Sequence, residues 1–242
     1  MAIYLAGITV LFTAFGGLLA LRAKDRFHLV LGLSAGLLLG LVGFDLLPEV
    51  FHESTETGGV PTVSIAILSG FLLLHILERR FGGHEPVDSE YGHSHDHGSI
   101  AGGIGAFAMA GHVFLDGAAL GLAFKVSTEL GFAVFIALLV HAFSDGLNTV
   151  SMLIKNGNWQ SKSKFLLVID AIARISGAAI GTYVTFEGNF VILYLALFSG
   201  MIIYLATSHI LPEAHSHHPS RWTFAATGAG ILAMWAIVGV LG

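Results

Sequence analysis

The chain has no cysteine. Disulfides and thiolate metal sites are both excluded, so a metal here must use His, Asp, Glu, backbone or water. Charge is scarce as well. Asp, Glu, Lys and Arg supply 11% of the 242 residues, against roughly 25% in soluble domains. There is no basic run, and the net charge is -5 with neutral histidine, so nothing points to nucleic acid. The apolar stretches are continuous, which excludes the ~10-residue alternating pattern of a membrane β-barrel. The H-E-x-x-H pattern does not occur, which removes one hydrolase signature. A cleavable signal peptide is not expected, because residues 1–21 lack a basic n-region and are long enough to span a bilayer.

What is present is apolar. The chain is 55% hydrophobic with a mean hydropathy of +0.80. Its 31 glycines are nearly double the usual share, and small residues let helices approach closely in lipid. Eight hydrophobic segments fall at about 2–21, 28–51, 60–78, 100–124, 130–154, 164–185, 189–211 and 222–241. Each is near the length that a helix needs to cross a membrane. The second carries Gly32, Gly36 and Gly40, a doubled GxxxG. The expected fold is all-α: a polytopic membrane protein of eight transmembrane helices, forming one domain over residues 1–242. Residues 82–98 are the exception. They are polar and Gly-rich, include His84, His93, His95 and His97, and read as a flexible loop.

Nine of the eleven basic residues fall in alternate loops: Arg22, Lys24, Arg26, Arg79, Arg80, Lys155, Lys162, Lys164 and Arg221. Lys125 lies on the other side and Arg174 within a span. The positive-inside rule then places both termini outside and the His-rich loop in the cytoplasm, for a multi-pass protein of a plasma or inner membrane.

Two motifs occur twice. Segments four and five each contain His-x-Phe-x-Asp-Gly, at His112 to Gly117 and His141 to Gly146. Segment two ends Asp45-Leu-Leu-Pro48-Glu49-Val-Phe-His52, and segment seven ends His209-Ile-Leu-Pro212-Glu213-Ala-His215. In both cases the two copies run in opposite directions through the membrane. That is the pattern of an inverted repeat, an architecture typical of transporters that bind cargo near the midplane.

His112 and Asp116 are four residues apart, as are His141 and Asp145, so each pair shares a helix face. An acidic group at a helix centre costs roughly 2.5–3.5 kcal/mol on insertion scales, so such groups are read as functional by default. A hydrogen bond within each helix would explain one pair, but not two pairs at equal depth. Two imidazoles and two carboxylates suit a borderline divalent ion, with zinc first and iron, manganese or cadmium tolerated. Protons and metal would compete for the same atoms.

At these residues the chain resembles the ZIP (Zrt- and Irt-like protein) family of divalent-metal transporters. The likeness covers eight spans, outside termini, a His-rich loop between spans three and four, and metal motifs on spans four and five. It implies an inverted 3+2+3 bundle, an elevator-like motion, and metal movement into the cytoplasm. Family members usually read His-Asn-x-Pro-Glu-Gly on span four, where this chain has His112-Val-Phe-Leu-Asp116-Gly117. Many members hold a second metal through that Asn, an acid after the span-five His, and an acid on span six. Here Val113, Ala142 and Arg174 stand at those positions, which implies a single-metal site. Arg174 either replaces the second cation or pairs with Asp170 one turn away, and both readings stay open.

At the outer end of span two, Asp45, Glu49 and His52 could gather cations at the mouth. At the inner end of span seven, His209, Glu213 and His215 could pass them out. The loop residues His93, His95 and His97 could bind metal weakly. His28 and His75 are read as packing residues. The expected substrate is a divalent metal, zinc first, and the expected partners are that ion and the lipid bilayer, with a homodimer open. The rival reading is an intramembrane metal-dependent hydrolase, whose open metal position would bind water.

Overall fold

The structure, a computed structural model, describes residues 1–20, 27–55, 58–81, 100–155, 162–185, 189–216 and 221–241. The described residues form eight helical rods, here α1 to α8. They are α1 (Ala2–Ala20), α2 (Phe27–Leu41), α3 (Val60–Phe81), α4 (Ile100–Val126), α5 (Thr128–Lys155), α6 (Lys162–Tyr183), α7 (Phe190–Leu205) and α8 (Arg221–Leu241). Helix satisfies every backbone group internally, as a lipid-embedded segment requires. On length and hydropathy alone, four described stretches could cross a membrane: His28–Thr55, Val60–Leu77, Phe190–His215 and Arg221–Leu241. Ala2–Leu18 and Thr128–Phe143 are apolar but shorter.

Two rods continue past a π-helical turn. α2 runs on through Val42–Leu46 into Leu47–His52, and α7 through Ala206–Ile210 into Leu211–Ser216. The cause is the same in each. Pro48 and Pro212 have no N–H to donate, and their rings crowd the carbonyl four residues back. The chain widens by one residue just before them, so that Leu47 N–H bonds to Val42 and Leu211 N–H to Ala206. The two Leu-Pro-Glu motifs therefore share a backbone deformation as well as residues.

Helix ends are explained locally. Gly58 and Gly59, both at positive φ (91° and 84°), make the turn into α3. Between α4 and α5 stands Ser127, whose hydroxyl accepts the Leu130 N–H at 3.0 Å as an N-cap. So short a turn sets α4 and α5 side by side and antiparallel. Lys125 donates to the Val184 carbonyl at 2.5 Å, just past the end of α6. A cation at a helix C-terminus is favourable.

The rods sort into two groups. α1, α4, α5 and α6 pack together, as do α2, α3, α7 and α8, with α2 against α5 and α4 against α7 joining them. At the second junction the Tyr194 hydroxyl of α7 donates to the Leu115 carbonyl of α4 at 2.8 Å. Four crossings are made by reciprocal glycines, each with its Cα against the other helix's backbone carbonyl. Gly117 of α4 meets Arg174 and Gly177 of α6 meets Phe114, while Gly146 of α5 meets Thr13 and Gly16 of α1 meets Phe143. Gly36 of α2 meets Thr227 and Gly230 of α8 meets Leu33, while Gly200 of α7 meets Ile67 and Gly70 of α3 meets Leu197. Thr13 and Gly16 thus stand to α5 as Arg174 and Gly177 stand to α4. Leu33 and Gly36 stand to α8 as Leu197 and Gly200 stand to α3.

A Cβ at Gly200 would run into the Ile67 carbonyl, whereas one at Gly228 meets nothing within 4 Å. Gly200→Ala should therefore lower the melting temperature in detergent by several degrees. Gly228→Ala should hold or raise it, since Ala is favoured over helix-interior Gly by roughly 0.5–1 kcal/mol. Thermal unfolding of the two variants checks this contrast.

Candidate metal centre

Four side chains converge where α4 crosses α5. One ligand atom from each of His112, Asp116, His141 and Asp145 lies within 4.8 Å of all the others, and this is the one such group of three or more among the described residues. The His112 and His141 Nε2 atoms are 3.2 Å apart, one imidazole donating to the other. His112 Nε2 is 3.6 Å from Asp116 Oδ2, and His141 Nε2 is 3.4 Å from Asp145 Oδ2. Zinc bound at about 2.0–2.2 Å by four tetrahedral ligands separates them by roughly 3.3–3.6 Å. Two of these separations fall in that range and the third lies just under it, while the wider remainder needs a small inward movement.

The chemistry of the donor atoms fits too. Asp116 Oδ2 and Asp145 Oδ2 are buried and have no hydrogen-bond partner. Buried carboxylate oxygens without donors are costly, and a cation would satisfy them. Asp116 and His141 are each 2% exposed and Asp145 9%. The His112 side chain is 16% exposed and the neighbouring Gly111 is exposed. Toward the other end, Val113 and Ala118 to Ala123 of α4 and much of Leu130 to Leu138 of α5 are buried. The site is thus sealed toward the α4–α5 turn.

Arg174 of α6 lies beside these ligands, 2% exposed. Its Nη1 is 3.7 Å from Asp116 Oδ2 and its Nη2 is 3.7 Å from Asp145 Oδ2. The Gly117 contact brings the α6 backbone close enough for this reach. The Arg174 guanidinium thus faces the paired carboxylates. Val113 and Ala142 are buried and bring no donor atoms.

The remaining candidates lie apart. Asp45 sits in the α2 π-turn, with Glu49 a turn beyond, both partly buried, and His52 is exposed. His209 sits at the matching place in the α7 π-turn, with its ring 6.1 Å from that of Tyr204. Glu213 is exposed. His215 Nδ1 donates to the Leu211 carbonyl at 2.7 Å, and its ring packs edge-on against Phe224. Among the described residues neither set forms a second metal-ligand cluster. His93, His95 and His97 lie outside the described residues. His75, read as a packing residue, is held by the Tyr204 hydroxyl at 3.1 Å. Sequence reasoning missed Tyr194, since a lone tyrosine in an apolar run carries no pattern. It also missed the π-turns, although Pro48 and Pro212 signal them.

Comparison with known proteins points the same way. The family model described as ZIP Zinc transporter matches residues 84–242. The chain is 26% identical over 229 residues to Zinc transporter YKE4 of Saccharomyces cerevisiae, covering 82% of this chain and 66% of that protein. It is 24% identical over 271 aligned positions to Zinc transporter ZIP9-A of Xenopus laevis, covering 89% and 85%. A shorter match, to human Zinc transporter ZIP10, is 31% identical over 103 residues and covers 42% of this chain but 12% of that protein.

His141→Ala removes a buried imidazole from the candidate site and should abolish tight zinc binding by the purified protein. His75→Ala, in the other helix group, should leave binding unchanged. Equilibrium dialysis of both variants tests the assignment.

Proposed function

The chain belongs to the ZIP zinc transporter family, and from that premise we propose that it moves divalent metal cations across a membrane into the cytoplasm, one ion at a time, through His112, Asp116, His141 and Asp145. Zinc is the first candidate, because the relatives are named for it and an N2O2 set suits it. Iron, manganese and cadmium are tolerated by the same donors. The observation that carries the reading is the convergence of four ligand atoms, three of the residues buried, on adjacent helices.

The proposed topology has eight spans within one domain, as an inverted 3+2+3 repeat. Supporting it are the paired glycine crossings, in which α1 relates to α5 as α6 does to α4, and the shared π-turns of α2 and α7. Of the basic residues in alternate loops, Arg79 and Arg80 lie in the last turn of α3 and Arg221 begins α8. With the positive-inside rule, the ends that carry these loops are cytoplasmic and the termini external. Asp45, Glu49 and His52 then lie at the outer mouth, and His209, Glu213 and His215 on the release side. The His-rich loop, with His93, His95 and His97, is a weak cytoplasmic metal ligand. Arg174 takes the place of a second cation and offsets the charge of Asp116 and Asp145. A hydrolase reading has no comparable support, since the relatives are named as transporters.

The test is zinc uptake into proteoliposomes. Wild-type protein should transport, and Asp116→Ala and His141→Ala should each lower uptake at least tenfold. Uptake that survives both changes would falsify the site. Arg174→Ala should make uptake fall more steeply as the pH is lowered, because protons and metal compete for carboxylates that have lost their cationic neighbour. An unchanged pH profile would remove Arg174 from the site.

A further inference from the structure

Between α1 and α6 lies a cavity of about 40 Å³, lined by Val10 and Thr13 on one side and by Asp170 and Arg174 on the other. Asp170 is 6% exposed and one helical turn before Arg174, so both face the same space. The metal-site reading has no use for either the cavity or Asp170.

Arg174 is not fastened where it stands. At 3.7 Å its Nη1 and Nη2 are too far from the two Oδ2 atoms for hydrogen bonds, and both nitrogens are buried without partners. A guanidinium closed on a carboxylate would sit at about 2.8 Å. It is held by charge alone, and charge is what a metal ion changes. The empty site with Arg174 carries one net negative charge, and a divalent ion turns this into one net positive charge, which is unfavourable at membrane depth. An ionised Asp170 brings the loaded set to neutrality.

The packing relation between α1 and α6 points to the same unit. The counterparts of Asp170 and Arg174 are Thr9 and Thr13, also one turn apart and buried. There the Thr13 hydroxyl donates to the Thr9 carbonyl at 3.1 Å. One half of the bundle thus carries a neutral pair where the other carries an acid and a base.

We propose that Asp170 is a positioning residue for metal binding: when the ion takes the Asp116 and Asp145 oxygens, Arg174 moves through the cavity to pair with Asp170. This rests on the four-ligand site proposed above. Zinc affinity of the purified full chain separates the two claims. Asp170→Asn should weaken binding about tenfold, because the displaced guanidinium then has no acceptor. Asp170→Glu should keep affinity within about threefold of wild type. The double variant Asp170→Asn with Arg174→Gln should bind zinc more tightly than Asp170→Asn alone, which a merely structural defect at Asp170 would not do. Wild-type affinity in Asp170→Asn, or a double variant as weak as the single, would overturn the proposal. Absence of zinc binding by wild-type protein would instead overturn the site itself.

Discussion

Direct backbone contact between helices is the constraint on which the rest depends. At each crossing a glycine Cα lies against a carbonyl of its neighbour, with no side chain between. In lipid, association of this kind draws on close packing rather than on burial from water. It also sets distances that side chains cannot adjust. Gly117 and Gly146 directly follow the two aspartates, so the contacts that seat α4 on α6 and α5 on α1 also fix Asp116 and Asp145. A bulkier residue at either glycine would displace the neighbouring aspartate as well as a helix.

The same contacts concentrate charge. Asp116, Asp145, Asp170 and Arg174 are all buried within the α1, α4, α5 and α6 group. The residues buried in the other group are almost all apolar, with a few hydroxyls. The first set of helices carries the fully buried ionisable groups, while those of the second, such as Asp45 and His209, are only partly buried.

Much of the fold was legible before any coordinates. All eight rods follow the hydrophobic segments to within a few residues, because long apolar runs in this composition have only helix available to them. His112, Asp116, His141 and Asp145 could be read because a four-residue spacing fixes a helix face and a duplicated motif implies duplicated placement. The reach of Arg174 could not be decided that way. Its choice between Asp170 and the ligand pair depends on the distance between α4 and α6, which Gly117 and Gly177 set across sixty residues of chain. Tyr194 was invisible for a similar reason: its acceptor is a backbone carbonyl on another helix.

Tyr194 also breaks the likeness between the two junctions of the helix groups. By the spacing of the glycine crossings its counterpart on α2 is Val30, which has no hydroxyl. The junction of α7 with α4 therefore carries a hydrogen bond that the junction of α2 with α5 cannot form from the matching position. A net hydrogen bond contributes about 0.5–1.5 kcal/mol, so the two halves of the bundle are fastened to one another unevenly.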